Sequence, residues 1–352
     1  MPLPAPSLSV VIPCYNEMDG MEELDRRVTS SCAAEAGADY EIVYVNDGSR
    51  DGTWSALERL TRTDAHIVAV DLARNYGHQI ALSAGLRFCR GERILILDAD
   101  LQDPPELLSP MMRLMDDGAH VVYGQRRRRP GETLFKKGTA SAFYRLLGKL
   151  AEIDIPPDSG DFRLISRQVL DVLNAMPERH RFVRGMVSWI GLTQVPILYD
   201  REPRFAGETH YPFGKMLRLA LDAITGFSIK PLRLASYLGL LTSALSIVMV
   251  CYTLVAWFLG DTLVGWASIA TIVLVIGSVQ LLVLGVLGEY VGRLYMEAKQ
   301  RPLFAVAQVR RSEPYPAHSS PSPPLGGEGR GEVGHGAVTR TDDLSRMIPP
   351  RI

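Results

Sequence analysis

The sequence predicts an α/β fold with a mostly parallel sheet, followed by two helices that are long enough to cross a membrane. Short apolar runs alternate with amphipathic segments between residues 7 and 124, and this alternation is typical of a parallel sheet covered by helices on both faces. The segments 234–259 and 264–288 contain no Asp, Glu, Lys or Arg, and about 20 apolar residues are enough to span a bilayer. After about Arg311 the chain is rich in Ser, Pro and Gly, which predicts a disordered tail.

The predicted strands are short apolar runs that end in turn residues. In order they are Ser7–Pro13, Glu41–Val45, Ile67–Leu72, Arg93–Leu97 and Val121–Gly124. Apolar residues at helical spacing predict the helices between them, namely Gly20–Ala36, Thr53–Leu60, Gly77–Cys89 and Glu106–Met115. Prolines mark two of the boundaries, because Pro13 ends the first strand and Pro104 and Pro105 start the fourth helix.

The whole-chain composition limits the classes of function. The chain has 352 residues and a formal net charge of −1. This length suits one large domain with an addition, and the charge gives no reason to expect nucleic acid as a partner. The cysteines are scattered without disulfide or metal-ligand spacing, at Cys14, Cys32, Cys89 and Cys251. We therefore expect reduced thiols in a cytosolic compartment.

Three oxygen-bearing side chains follow the fourth predicted strand at alternate positions: Asp98, Asp100 and Gln102. In open α/β sheets, ligands bind at the carboxyl ends of the strands. Alternate residues that leave an extended segment point the same way, so these oxygens can converge on one hard cation. A solvated polar loop is the alternative, since an Asp-x-Asp pair alone is only moderately specific.

Carboxylates also follow the first two strands, at Glu17 and Asp47. No Gly-x-Gly-x-x-Gly motif follows the first strand, which argues against a dinucleotide-binding dehydrogenase. Hydrogen-bond acceptors at these positions suit a base or a ribose better than a pyrophosphate. The phosphates would then need a cation, which the turn with Asp98 and Asp100 could supply.

Basic residues occur in three places beyond the fifth strand. The segment Arg126–Lys137 is either a solvated charged loop or a mobile flap whose cations meet a diphosphate. The second place is Asp158–Arg163, where acidic and basic side chains stand beside an aromatic residue and a glycine. The third consists of the basic residues Arg204 and Lys215. Lys215 opens an amphipathic stretch that we expect to lie in the membrane surface.

The charges around the two apolar segments predict their orientation. Lys and Arg flank the pair at Lys230, Arg233, Arg293, Lys299 and Arg301, whereas the link 260–263 contains neither. The positive-inside rule then places both ends of the hairpin, and the domain before it, in the cytoplasm.

Taken together, these residues resemble the polyprenyl-phosphate glycosyltransferases, which include bactoprenol glucosyltransferases, dolichol-phosphate mannosyltransferases and aminoarabinose transferases. The matching stretches are VIPCYNE at Val11–Glu17, VNDGSRDGT at Val45–Thr53, ARNYGHQIALSAGL at Ala73–Leu86, LDADLQDPPE at Leu97–Glu106, GDFRL at Gly160–Leu164 and RFAGETHYPFGKM at Arg204–Met216. The resemblance runs from about Ser7 to Arg301 and includes the hairpin. It implies the nucleotide-diphospho-sugar transferase fold of inverting family 2 enzymes, GT-A, a Rossmann-like mixed sheet.

The resemblance also implies roles for individual residues. The nucleotide base and ribose would be held by Pro13, Tyr15, Glu17 and Asp47. Mg²⁺ or Mn²⁺ would be placed on the diphosphate by Asp98, Asp100 and Gln102. Catalysis would involve Asp100 and Asp161, although some dolichol-type relatives carry serine at the latter position. Phosphate and acceptor would be contacted by Arg126, Arg163, Arg204 and Lys215. His78 stands where many members have lysine, and no role is assigned to it.

The activity implied by the resemblance is transfer of a sugar from a nucleotide diphosphate sugar to undecaprenyl phosphate, with inversion. The bacterial pattern favours UDP-glucose as donor. The implied setting is the bacterial inner membrane, with a multi-pass chain, both termini cytoplasmic and a homo-oligomer, a tetramer by resemblance. The expected divisions are a catalytic domain at 1–210, a membrane-surface helix at 211–232, a hairpin at 233–290, a juxtamembrane segment at 291–311 and a tail at 312–352.

Two other functions remain open at this point. A processive polysaccharide synthase would share the fold, but the chain lacks a Gln-x-x-Arg-Trp motif and has too few apolar segments to form a channel alone. A membrane scaffold that binds nucleotide sugar without catalysis would leave the carboxylates without a chemical task.

Overall fold

A computed structural model describes residues 5–127, 159–200, 230–259 and 265–311. Within these ranges the strands are β1 Leu8–Cys14, β2 Tyr40–Asn46, β3 Ile67–Leu72, β4 Arg93–Ile96, β5 Val121–Arg126, β6 Ser159–Ser166, β7 Gln194–Tyr199 and β8 Val306–Arg311. The α-helices are α1 Met21–Ala36, α2 Thr53–Thr63, α3 His78–Phe88, α4 Leu108–Asp116, α5 Arg167–Ala175, α6 Val183–Ile190, α7 Lys230–Phe258 and α8 Trp266–Ala298. Short 3₁₀ turns, Met18–Gly20 and Pro105–Leu107, precede α1 and α4.

The strands form one mixed sheet in the order β7-β5-β6-β4-β1-β2-β3-β8. The central strands β4, β1, β2 and β3 are parallel, and β5 is parallel to β7. Two strands run the other way, since β6 lies antiparallel between β4 and β5, and β8 pairs antiparallel with β3. The predicted α/β class is therefore confirmed, whereas the alternation of elements did not reveal the antiparallel strands β6 and β8 or the parallel strand β7.

Successive residues of β1 point to the two faces of the sheet, as the strand period of two requires. Val10 and Ile12 pack in the cluster that includes α1, whereas Val11 packs in the cluster on the opposite face. On that second face α3 lies very close to the sheet. A Cβ atom at Gly85 would lie 2.4 Å from Cγ1 of Val11, so only glycine permits this approach.

The two C-terminal helices confirm the predicted hairpin. They contain 29 and 33 residues, which at 1.5 Å per residue gives lengths of about 43 and 50 Å. Lys230–Tyr252 and Val275–Ala298 are long and apolar enough to cross a membrane, and hardly any of either segment is buried. The two helices contact each other along the hairpin.

Several predicted features lie outside the described residues. They are residues 211–229 of the predicted membrane-surface helix, the basic segment beyond Arg127, the hairpin link 260–264, the tail from residue 312, and the side chains of Arg204 and Lys215. Residues 230–232, which were assigned to that helix, are the first residues of α7.

The segment after α8, residues 299–311, returns to the sheet, and we name it the return segment. Ala73 N–H donates to the carbonyl oxygen of Ala305 at 2.9 Å, and β8 then extends along β3. The end of α8 is fastened to the domain as well, because Arg179 N–H donates to Oε1 of Glu297 at 2.8 Å. The side chain of Arg179 also donates to the carbonyl oxygen of Arg301. The hairpin is thus joined to the domain on its C-terminal side by hydrogen bonds as well as by the chain.

Candidate active site

The turn after β4 brings its polar side chains together through an unusual backbone conformation. Leu101 is buried and adopts a φ of 56°, which a residue with a Cβ atom adopts only when its surroundings enforce it. Gln102 N–H donates to Oδ1 of Asp100 at 3.2 Å. The apolar side chain of Leu101 is thereby turned into the core, and the chain reverses at the carboxyl end of the sheet.

Asp98 carries a buried carboxylate oxygen that suits a cation. Its Oδ1 accepts no hydrogen bond from the described residues, and Nε2 of His78 lies 3.5 Å away. Burial raises the pKa of Asp98 to about 6; His78 opposes this, while the carboxylates of Asp161, Asp103 and Asp100 add to it. A carboxylate in this position is costly unless a positive charge joins it.

The donor set fits a divalent cation that is shared with a substrate. Within the described ranges, no three His, Cys, Asp or Glu side chains are grouped as a complete metal site. Mg²⁺ usually takes one or two carboxylates and completes its shell with water and substrate phosphates. Asp98 and Asp100, with the amide oxygen of Gln102, are the ligand types that such an ion needs from the protein.

Asp161 lies on β6 and is the most strongly bound carboxylate of the site. Its Oδ1 accepts from Nε of Arg184 at 3.2 Å, and its Oδ2 accepts from Nε2 of Gln79 at 2.9 Å. Nε2 of His78 lies 3.2 Å from the same Oδ2. Burial alone would raise the pKa of Asp161, but Arg184, His78 and Arg163 together hold it well below the usual range. Asp161 is therefore ionised at any physiological pH.

The expected role of Arg163 as a phosphate ligand stays a prediction, and in the structure its side chain bonds to the backbone. Its side chain is buried, and it donates to the carbonyl oxygens of Asp161 at 3.2 Å and Gly160 at 2.8 Å. Burial lowers the pKa of Arg163 to about 10, against the effect of Asp161. Arg163 supports the backbone that carries Asp161.

The residues expected at the nucleotide lie around the ends of β1 and β2. Both oxygens of Asp47 accept backbone N–H groups, from Tyr76 at 2.7 Å and from Gly77 at 2.9 Å, so this carboxylate fixes the loop before α3. The backbone N–H of Glu17 donates to Oγ1 of Thr53 at 3.0 Å.

The loop after β1 is also joined to the loop after β2. Oδ1 of Asn16 accepts from the N–H of Arg50 at 2.9 Å. Beside it, Pro13 is buried within β1 and Tyr15 is exposed. These contacts leave the ring of Tyr15 available to a planar ligand.

Arg126, at the end of β5, lies beside the backbone that leads to Asp161. A Cβ atom at Gly160 would lie 3.3 Å from Nη2 of Arg126. Tyr199 O–H, which donates to buried Asp103, is 3.5 Å from Nε of Arg126. The structure therefore keeps Arg126 at the edge of the site.

Sequence reasoning missed three residues that the fold places at Asp161, namely His78, Gln79 and Arg184. His78 and Gln79 lie in the stretch Ala73–Leu86 that carries part of the resemblance, but no role was assigned to either side chain. Gln79 also accepts Val183 N–H on its Oε1 at 2.9 Å, so one amide joins α3, β6 and α6. The sequence gives no signal for these contacts, because they depend on the fold that brings the three elements together.

Two family descriptions match this chain. The model of glycosyl transferase family 2 matches residues 9–173, and the model of the GtrB C-terminal hairpin matches residues 230–294. An uncharacterized glycosyltransferase, YkcC of Bacillus subtilis, is 46% identical over 85% of this chain and 92% of its own length. A prophage bactoprenol glucosyl transferase homolog of Escherichia coli is 36% identical over 86% of this chain and 99% of its own length.

Solved structures show more distant likenesses. Staphylococcus aureus TarS in complex with UDP-GlcNAc is 16% identical, with a TM-score of 0.42 over 62% of this chain and 65% of that chain. The Pyrobaculum calidifontis mannosyltransferase PcManGT in complex with GDP-Man and Mn²⁺ is 19% identical, with a TM-score of 0.39 over 80% and 88%.

Proposed function

Because the chain belongs to glycosyl transferase family 2 and carries a GtrB C-terminal hairpin, we propose that it transfers a sugar from a nucleotide diphosphate sugar to the phosphate of a membrane polyprenol. It is a glycosyltransferase with a GT-A domain. The observation that carries the proposed acceptor is the attachment of the domain to the hairpin through Arg179 and Glu297. A site held to an apolar hairpin suits an acceptor that stays in the bilayer. Relatives at 36% identity are named bactoprenol glucosyl transferases.

The donor would bind across the ends of β1, β2 and β4. Pro13, Tyr15, Glu17 and Asp47 stand around the proposed place of the base and ribose, the last by fixing the loop at Tyr76 and Gly77. Asp98, Asp100 and Gln102 would hold Mg²⁺ or Mn²⁺ at the diphosphate. When bound, such an ion is a Lewis acid that offsets the charge on the leaving group. The relatives named as glucosyl transferases support UDP-glucose as the donor.

The acceptor needs little activation before it attacks. A phosphate monoester has a second pKa of about 6 and is mostly dianionic at neutral pH. A general base works best when its pKa is near the working pH, whereas the pKa of Asp161 is held far below it. We therefore assign Asp161 to orientation rather than proton abstraction. A single in-line displacement by a phosphate oxygen would invert the anomeric carbon and needs no covalent intermediate.

The return segment supports a hairpin with both ends on one side of the membrane. β8 follows the hairpin and β3 precedes it, yet the two strands pair in one sheet. Lys230 and Arg233 before the hairpin and Arg293 after it favour the cytoplasmic side by the positive-inside rule. We place the domain in the cytoplasm of a bacterial cell, at the inner membrane, where nucleotide sugars are made.

The test is turnover by the purified full chain in detergent. Undecaprenyl phosphate, Mg²⁺ and a panel of nucleotide sugars are supplied, and the lipid product is identified by mass spectrometry. We expect one sugar to be added to the lipid phosphate, and an Asp100→Asn variant to form no product. A polymer of sugars would indicate a processive synthase instead, and nucleotide-sugar binding without any product would indicate a scaffold.

A further inference from the structure

The charged cluster at Asp161 is arranged with its anion inside and its cations outside. The side chain of Asp161 is 6% exposed, whereas those of Arg184 and His78 are 30% and 43% exposed. A ligand that approaches from solvent therefore meets the cationic and hydrogen-bond-donating groups before it meets the carboxylate. This order is the reverse of what a general base requires, because a base must itself reach the proton that it removes.

Arg184 is fastened in place at two points of β6. Its Nε donates to Oδ1 of Asp161 at 3.2 Å, and its Nη1 donates to the carbonyl oxygen of Ser159 at 2.9 Å. The planar guanidinium is thus oriented before any ligand binds. A preoriented arginine loses little entropy on binding an anion, and its geometry matches phosphate oxygens.

One residue, His78, lies between Asp161 and Asp98, the proposed ligand of the donor's cation. Nε2 of His78 lies between Oδ1 of Asp98 at 3.5 Å and Oδ2 of Asp161 at 3.2 Å. Contacts link the four side chains in the order Asp98, His78, Asp161, Arg184, beginning at the proposed metal ligand. Two positively charged positions, one at the proposed cation and one at Arg184, suit a reaction between two phosphate-bearing substrates.

The loop before the helix that carries Arg184 contacts the end of the hairpin. α6 begins at Val183, and the loop before it includes Arg179, whose N–H and side chain bond to Glu297 and to the Arg301 carbonyl at the end of α8. Arg184 is therefore five residues along the chain from a direct contact with the hairpin's end. This link to the hairpin supports Arg184 as the side chain that meets the phosphate of a lipid anchored in the bilayer.

We propose that Arg184 binds the acceptor phosphate, and that Asp161 is the buried positioning residue that holds Arg184 for this task. The inference rests on the proposed function and deepens it, since it names the side chain that receives the lipid phosphate. A charge-assisted hydrogen bond contributes about 1.5–3 kcal/mol, so its loss corresponds to roughly a tenfold to hundredfold weaker binding of the acceptor.

The experiment compares Arg184→Gln, Arg184→Lys and the matched control Arg62→Gln, which changes an exposed arginine in the last turn of α2. Three quantities are measured in detergent: affinity for a short polyprenyl phosphate, affinity for the nucleotide sugar, and the KM and kcat of transfer. We expect Arg184→Gln to lower the affinity for the lipid phosphate by about tenfold or more. Arg184→Lys should recover part of this loss, and Arg62→Gln should bind as the wild type does. Unchanged affinity for the nucleotide sugar shows that the variants are folded.

The outcomes separate this inference from the proposed function. If the wild type transfers sugar but Arg184→Gln binds the lipid phosphate as the wild type does, the role of Arg184 is wrong and the function stands. If the affinity for the nucleotide sugar falls instead, Arg184 belongs to the donor site and the inference is overturned. If the wild type binds the lipid phosphate through Arg184 but transfers no sugar, the function fails while the binding role stands. If the wild type does not bind the lipid phosphate, both fail.

Discussion

Replacing Asp161 with asparagine tests whether its carboxylate holds the cluster together. The change removes one buried charge but keeps the volume of the side chain. Its bonds to Arg184 and His78 would become neutral-acceptor bonds, each weaker by about 1–1.5 kcal/mol. An amide also has a single acceptor oxygen, so its NH₂ group would face one of the donors, Nε of Arg184 or Nε2 of Gln79, that a carboxylate oxygen now accepts from. That unmade bond adds about 1–3 kcal/mol.

The expected loss in the free energy of unfolding is therefore about 3–6 kcal/mol, which overlaps the range of about 3–5 kcal/mol for breaking a buried ion pair. The assay is chemical denaturation in detergent, followed by tryptophan fluorescence. The matched control is Asp171→Asn on α5, because Asp171 is 66% exposed and its pair with Arg167 is 3.9 Å long. We expect the control to lose less than about 1 kcal/mol. Equal losses in the two variants would refute the account of Asp161.

The same comparison has a defined pH dependence. The pKa of Asp161 is lower in the folded protein than in the unfolded chain, where an aspartate titrates near 3.9. Its stabilising contribution is thus fully present above about pH 4 and is lost as pH falls through the folded pKa. The difference between the wild type and Asp161→Asn should be nearly constant from pH 5 to pH 6 and should shrink in acid. It should also shrink as pH rises from about 6.5 towards 9, because Asp161, against the effect of burial, helps to raise the pKa of His78 to about 9 and that contribution is lost as His78 loses its proton. A difference that shrinks between pH 5 and pH 6 would mean that the carboxylate titrates there.

Three further predictions concern the metal, the membrane and the sheet. Asp100→Asn should reduce turnover by orders of magnitude and weaken Mn²⁺ binding measured by calorimetry, because a hard cation prefers charged oxygen. Full turnover of the wild type in excess EDTA would exclude a role for the metal. A cysteine at Thr262, in a background without native cysteines, should react with an impermeant thiol reagent on intact cells, and labelling of the catalytic domain instead would reverse the orientation. Val309→Asp places a charge in the packed part of β8 and should destabilise the domain by about 2 kcal/mol or more. The control Ala307→Asp, at an exposed position, should not destabilise it. Equal stability of the two variants would mean that β8 does not pack on the sheet in solution.

The elements built from local signals could be predicted from the sequence. β3 was predicted with its observed bounds, and α3 was predicted to within one residue at each end. β6, β7 and β8 were not predicted, because each pairs with a strand distant in sequence and none belongs to the alternation of elements. Strand propensity does not show where a strand will insert.

The candidate site divides in the same way. The carboxylates after β4 follow directly from where that strand ends. The surroundings of Asp161 do not, since the fold alone brings Arg184 from 23 residues away to a distance of 3.2 Å. The contacts of Arg163 could not be predicted either, because composition does not reveal whether an arginine beside an acid faces solvent or backbone carbonyls. Exposure decides its role, and exposure depends on packing.

The return segment has a consequence for how the protein is made. A ribosome completes β3 early, but β8 emerges only after all of α7 and α8 has been synthesised. Until then the outer edge of β3 lacks this partner, and an unpaired edge strand is a site of aggregation. Completion of the catalytic sheet is therefore delayed until the whole apolar hairpin has been synthesised. If the hairpin enters the membrane as it is made, few finished catalytic domains would exist away from the membrane, where the proposed acceptor lies.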